Sequence, residues 1–336
     1  MSPAARLAVT LPDFATAQVG GHGALMISAF LGTVISLERA VALGRGWPYL
    51  ASLCAGLGGL AMIAGFPPLA AQVLAIVGGV ILTAGSLLIL RQQPALYTAT
   101  LALGALSWLI GSLTWYVGGA IVFAAPWWMA FLVLTIAGER LELTRFLPTV
   151  PVAQKAFVLI VTVMLLGLVA AFWHERYGLT LYAFGLFALS IWLLRNDIAR
   201  HTVKQTGLTR FIALCLLCGY GWLAAGGVLG VASGFIAGSP LRDAALHAIF
   251  LGFVFSMIFG HAPIIFPAIA KVRIPYHPIF YLPLAALHAS LLARVVADLG
   301  SPDTLALRQY AGIANGVALA IFILTMLGSV LRRNNK

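Results

Sequence analysis

Long apolar runs fill almost the whole chain, separated by short clusters of charge, proline and glycine. A helix needs about 20 mostly apolar residues to cross roughly 30 Å of hydrocarbon. That template predicts eleven spans, at residues 16–37, 48–66, 69–90, 97–117, 118–137, 153–173, 178–194, 209–233, 243–268, 276–297 and 307–330. The breaks are turn or charge signals: Gly44-Arg45-Gly46, Pro67-Pro68, Arg91-Gln92-Gln93-Pro94, Pro148, His174-Glu175-Arg176 and Ser301-Pro302-Asp303. At Gly118–Gly119 two spans meet without a charge, which makes ten and twelve the neighbouring counts. The fold expected is all-α, a polytopic integral membrane helix bundle, with residues 1–336 as a single transmembrane domain.

Composition sharpens this picture. Of 336 residues, 62% are hydrophobic and 9% charged, too few polar groups to cover a soluble core. Lys and Arg number 20 against 9 Asp and Glu. In a membrane protein such an excess records topology rather than nucleic-acid binding. Segments after odd-numbered spans hold 15 of the 20 basic residues, and the other side holds Arg6, Arg176, Arg242, Arg294 and Arg308. The positive-inside rule then puts the N-terminus outside and the C-terminus in the cytoplasm, with a bacterial inner (cytoplasmic) membrane as the expected location. Three cysteines argue against a disulfide framework, and Met1 to Asp13 lacks the apolar core of a cleaved signal peptide. Phe30-Leu31, Ile35 and Glu38-Arg39 recur as Phe131-Leu132, Ile136 and Glu139-Arg140, offset by 101 residues. Either the chain is built from four-helix repeats, or a common helix ending has recurred by chance.

Intramembrane ionisable groups are costly, so each carries a functional hypothesis. The acids fall at span ends, in loops or in the tail, which weakens an ion-coupled transporter. Glu38, Arg39, Glu139, Arg140 and Glu142 read as ion pairs that fix helix ends. His174, His201 and His277 fall at loops and edges, whereas His22, His247, His261 and His288 lie inside spans. Neutral imidazole commonly ligates haem iron or copper, though a lone intramembrane histidine also serves as a helix-to-helix hydrogen bond. His22 and His247 sit in the outer halves of the first and ninth spans and are the best-matched pair. His261 follows His247 by fourteen residues, nearly the same face but about 21 Å lower. His288 falls near the midplane. Small residues beside these histidines, Gly21, Gly23, Ala24, Ala248 and Gly252, leave room for a flat macrocycle or for close helix packing. Cys215 and Cys218 read as small core residues, and Gly219, Gly226, Gly230 and Gly234 as a packing seam. Trp108, Trp115, Trp127, Trp128, Trp173 and Trp222 mostly suit interfacial belts. No phosphate loop, hydrolase triad or dinucleotide fingerprint is present.

The stretch His22-Gly23-Ala24-Leu25-Met26-Ile27-Ser28-Ala29-Phe30 resembles the His-Gly-x-x-Met-x-x-x-Phe helix of haem-copper oxidase subunit I. The stretch His247 to Gly260, followed by Pro263 and Pro267, is similar to the later oxidase helix and to the His-Ala-x-x-x-Gly-x-x-x-x-Met-Ile segment of the NnrS family, in which Gly252 and Met257 take the motif places. NnrS proteins are haem- and copper-containing membrane proteins linked to nitric oxide tolerance. The resemblance implies haem b with His22 and His247 as iron ligands, Gly23, Met26, Gly252 and Met257 packing around them, and electron transfer or nitric oxide binding. His288 and His261 are secondary candidates, for copper or for a quinone, and a redox partner is implied. Ala245 and Ile249 flank His247 where an oxidase would have a His-x-His pair, and spans five and six contain no histidine, so dioxygen reduction is not expected. NnrS proteins carry a double histidine near the first motif; only His22 stands here. Two rivals remain: a cofactor-free transporter or permease, on the Gly- and Pro-interrupted ninth span, and a non-catalytic assembly subunit.

Overall fold

The computed structural model describes residues 20–144, 151–272, 274–300 and 304–331, with only the backbone at 268–270. Among these residues there is no strand. Eleven apolar helices form: α1 (Ala24–Leu43), α2 (Tyr49–Ile63), α3 (Pro68–Gln92), α4 (Leu96–Gly118), α5 (Ile121–Thr144), α6 (Pro151–Ala170), α7 (Glu175–Asn196), α8 (Gly207–Ser233), α9 (Pro240–Pro267), α10 (Pro278–Leu299) and α11 (Leu305–Leu331). Each falls on one of the eleven apolar runs. All but α2 are long and apolar enough to cross a bilayer. The protein is an all-α integral membrane protein.

The boundaries depart from the apolar runs where charge is paired or where glycine turns the chain. Helix α1 runs on to Leu43 and α5 to Thr144, so Glu38, Arg39, Glu139, Arg140 and Glu142 lie within helices instead of after them. At the unmarked boundary, α4 stops at Gly118 because Gly119 takes a left-handed conformation (φ 67°), with its N–H donating to Trp115 O. The start of the first predicted span, residues 16–19, lies outside the described residues, as do Met1 to Asp13.

The chain divides into two compact units, Met1–Glu142 and Leu143–Lys336. In the first, Trp108 on α4 is the central side chain. It is fully buried and stacks on Phe131 of α5 at 5.4 Å between ring centroids. Its indole N–H donates to Ser28 Oγ of α1 at 3.0 Å. Gly32 makes this possible, since a β-carbon there would lie 2.8 Å from the ring. Trp115, Trp127 and Trp128 are buried as well, so these four tryptophans are core residues and not a belt. The reason is local: Ser28 and Ser112 accept from indole N–H groups inside the unit, and glycines clear space for the rings. Trp173, 73% exposed, suits the belt.

In the second unit consecutive long helices pack on one another. A β-carbon at Gly178 would stand 2.3 Å from Ala171 N, so α6 and α7 meet backbone to backbone. Along α8, Gly219 and Gly226 receive Met257 and Ile249 of α9, and Gly230 receives Phe235. Gly234 leaves that seam, its φ of 57° capping α8 instead. Asp197, buried after α7, accepts from Tyr220 Oη at 2.9 Å and Ala199 N at 2.6 Å, which satisfies a carboxylate that burial would otherwise penalise.

Candidate functional site

The two motif histidines share a backbone setting. His22 stands two residues before a π-helical stretch, Ala24–Leu31, and His247 immediately before another, Ala248–Val254. These are the two π-helical segments among the described residues. A π turn inserts an extra residue between bonded groups and re-aims the side chains around it, and such turns concentrate at functional sites. The apolar runs carry no mark of either segment.

In the first unit His22 is exposed at the start of α1. Gly23 lies against Ile121, whose Cγ2 would be 3.3 Å from an added β-carbon. Met26 is half-buried, and Ser28 is taken by Trp108. Ala24, Ser28, Ala29, Met62 and Trp115 line a small, partly open cleft.

In the second unit, hydrogen bonds fix which ring nitrogen of each histidine carries the proton. His247 Nδ1 donates to Asp243 O at 2.7 Å, and His261 Nδ1 to Met257 O at 2.7 Å. A carbonyl only accepts, so in a neutral ring the proton sits on Nδ1 and Nε2 keeps its lone pair. That is the form a metal-ligating histidine takes, with the far nitrogen oriented by a backbone acceptor. His288 is the reverse. Trp222 Nε1 donates to His288 Nδ1 at 2.9 Å, and an indole N–H cannot accept. The proton of neutral His288 therefore sits on Nε2, making that nitrogen a donor and not a metal ligand. The same indole fills the space at Gly252, where a β-carbon would come within 2.4 Å of Trp222 Cγ. Gly252 thus cradles a flat ring that belongs to the protein itself. Met257 packs on Gly219, its Cε 2.7 Å from an added β-carbon there. Because π turns lie between His247 and His261, the 3.6-residue count that places both on one face does not apply.

Charge gathers near His247. Asp298 on α10, its side chain wholly buried, pairs with Arg294 at 3.2 Å and with Arg308 of α11 at 2.8 Å. Arg294, Asp298 and Asp243 all lie within charge–charge reach of His247. Sequence reasoning did not single out this triad. The signal was an opposite-charge pair at i,i+4 ending a span, with a further arginine just beyond the next turn. In the first unit Arg39 forms an ion pair with Glu139. Cys215 is buried and Cys218 exposed, so the two thiols do not share one inward-facing site. Among the described residues no three His, Cys, Asp or Glu side chains converge on a metal position.

His247 therefore presents one oriented imidazole, and the space at Gly252 is filled by Trp222. No curated protein and no solved structure matches the chain. The family described as Domain of unknown function (DUF8744) matches residues 2–331, and the chain belongs to that family.

Proposed function

We propose that this protein is an NnrS-like haem-binding membrane protein of the bacterial inner membrane, serving electron transfer or nitric oxide binding, with His22 and His247 as haem-iron ligands. The observation that carries the reading is His247. Its Nδ1–H is held by Asp243 O at the threshold of a π-helical segment, and its Nε2 keeps the lone pair that iron needs. His22 stands at the threshold of the other such segment. A haem held by two imidazoles supplies one-electron transfer; one with a displaceable axial place supplies gas binding. His261, with the same proton placement, is the residue for a second metal such as copper. The rival transporter reading rests on an interrupted ninth span, and α9 carries a π-helical segment and Pro263 within its length.

The test is an absorption spectrum of the detergent-purified protein, oxidised and then reduced, with a pyridine haemochrome assay. We expect a Soret band that His247→Ala abolishes and His288→Ala leaves in place. Nitric oxide added to the reduced protein then separates gas binder from electron carrier. A colourless protein from haem-replete cells would discard the reading and bring the cofactor-free transporter forward.

A further inference from the structure

Trp222 of α8 donates to His288 Nδ1 of α10, which leaves the proton of the neutral imidazole on Nε2. That N–H is itself buried and has no hydrogen-bond partner. The two rings lie nearly parallel, with centroids 6.4 Å apart and 19° between their planes. A buried donor without an acceptor is costly, so the fold holds His288 in this form against a penalty.

Depth and surroundings narrow what the donor can serve. His288 stands ten residues after Pro278 and eleven before Leu299, so about 15 Å of helix lies on either side of it. The adjoining turns of α10 place Leu284, Ala285, Leu291 and Leu292 beside it, all apolar. Ser290 is committed to Asn315 of α11. Trp222 and His288 are half-buried, at the edges of the faces that α8 and α10 turn to hydrocarbon. Their exposed neighbours there are small: Gly221 on α8, Ala285 and Ala289 on α10. A β-carbon at Gly221 would meet nothing within 4 Å. An occupant therefore comes from the hydrocarbon, displacing only the side chains that cover Nε2.

A water needs two to four polar partners, and this donor offers one. A phospholipid ester carbonyl lies at the edge of a hydrocarbon layer about 30 Å thick, far from the middle of α10. A quinone meets each condition. It dissolves in hydrocarbon, its flat ring suits two aligned aromatic rings, and its carbonyl oxygen accepts one N–H.

We propose that Trp222 and His288 form a membrane-facing quinone-binding site, in which His288 Nε2–H donates to one carbonyl oxygen of the quinone. Trp222 holds the imidazole in its donor form. The site goes beyond the haem reading and does not depend on it, since neither His22 nor His247 contributes.

The test is a binding titration of the full-length protein in phospholipid nanodiscs with decylbenzoquinone carrying carbon-13 at both carbonyls, followed by infrared spectroscopy. We expect saturable binding above that of protein-free nanodiscs, with one labelled C=O stretch lowered by the hydrogen bond. His288→Phe should weaken binding about tenfold and abolish that shift. Ala285→Phe should also weaken it by crowding the rim, with the Trp222–His288 bond left in place, and it decides the matter if His288→Phe does not fold. Binding no greater than to protein-free nanodiscs, or an affinity unchanged in the variants, would overturn the site. An unshifted labelled carbonyl beside a His288-dependent shift of the phospholipid ester band would assign the donor to lipid and overturn it equally.

Discussion

A β-carbon at Gly252 would stand 2.4 Å from Trp222 Cγ, so any larger residue there must expel the indole. The indole in turn holds His288 in its donor form. Gly252→Val should therefore combine overpacking, about 1–3 kcal/mol, with loss of the half-buried Trp222–His288 hydrogen bond, about 1 kcal/mol. The expected outcome is a lower unfolding midpoint and red-shifted tryptophan emission. Adding Trp222→Phe to Gly252→Val should cost less than Trp222→Phe alone, because both remove the same contact. Full additivity would show that Trp222 does not depend on Gly252. The histidines themselves were legible in the sequence because they interrupt apolar runs. Their proton placement was not, since it is decided by Asp243 O for His247 and by Trp222, sixty-six positions away, for His288.

Between elements, a buried polar tie joins α10 to α11. Asp298 is wholly buried with Arg294 and Arg308 on either side, and Ser290 donates to Asn315 at 2.6 Å deeper in the same pair. Removing one member of a buried ion cluster leaves its partners uncompensated, at about 3–5 kcal/mol. Asp298→Asn should lower the thermal midpoint in detergent far more than Arg308→Gln, whose side chain is 20% exposed. The double variant should recover part of the Asp298→Asn loss, and a midpoint lower than either single would contradict the shared-charge account. At this scale the apolar runs located all eleven apolar helices, since bilayer length and mean hydropathy leave little freedom. They missed the ends of α1 and α5, where helix continues because Arg39 pairs with Glu139. They also missed the π turns, since an i→i+5 bond leaves no trace in composition. The tryptophans misled because interfacial preference and burial beside glycine and serine use the same residue.

For the whole molecule, α2 decides the topology. Its 15 residues span about 22 Å at 1.5 Å per residue, short of roughly 30 Å of hydrocarbon. Charge counting settles less here than its 15-to-5 bias implies. If α2 did not cross, only Arg6, Arg39 and Arg45 would change sides, leaving a bias of 14 to 6 and both termini in the cytoplasm. Packing discriminates better. Gly56 faces Thr33 and Gly59 faces Ala29, so α2 runs antiparallel to α1. Gly58 faces Ala71 while Gly78 faces Ala51, so α2 also runs antiparallel to α3. Helices α1 and α3 are therefore parallel, and the chain must travel back along their length between them. A short helix can cross if the bilayer thins locally, at a fraction of a kcal/mol per ångström. If α2 crosses and each of the other ten does too, the eleven apolar helices put the two ends of the chain on opposite sides. Single cysteines introduced in a cysteine-free background, at Arg45 and at Gly65, should report this directly in intact cells. An impermeant thiol reagent should label the position-65 cysteine and spare the position-45 cysteine. If both positions gave the same result, α2 would not cross, the N-terminus would move to the cytoplasmic side, and the outer placement of His22 would fall with it.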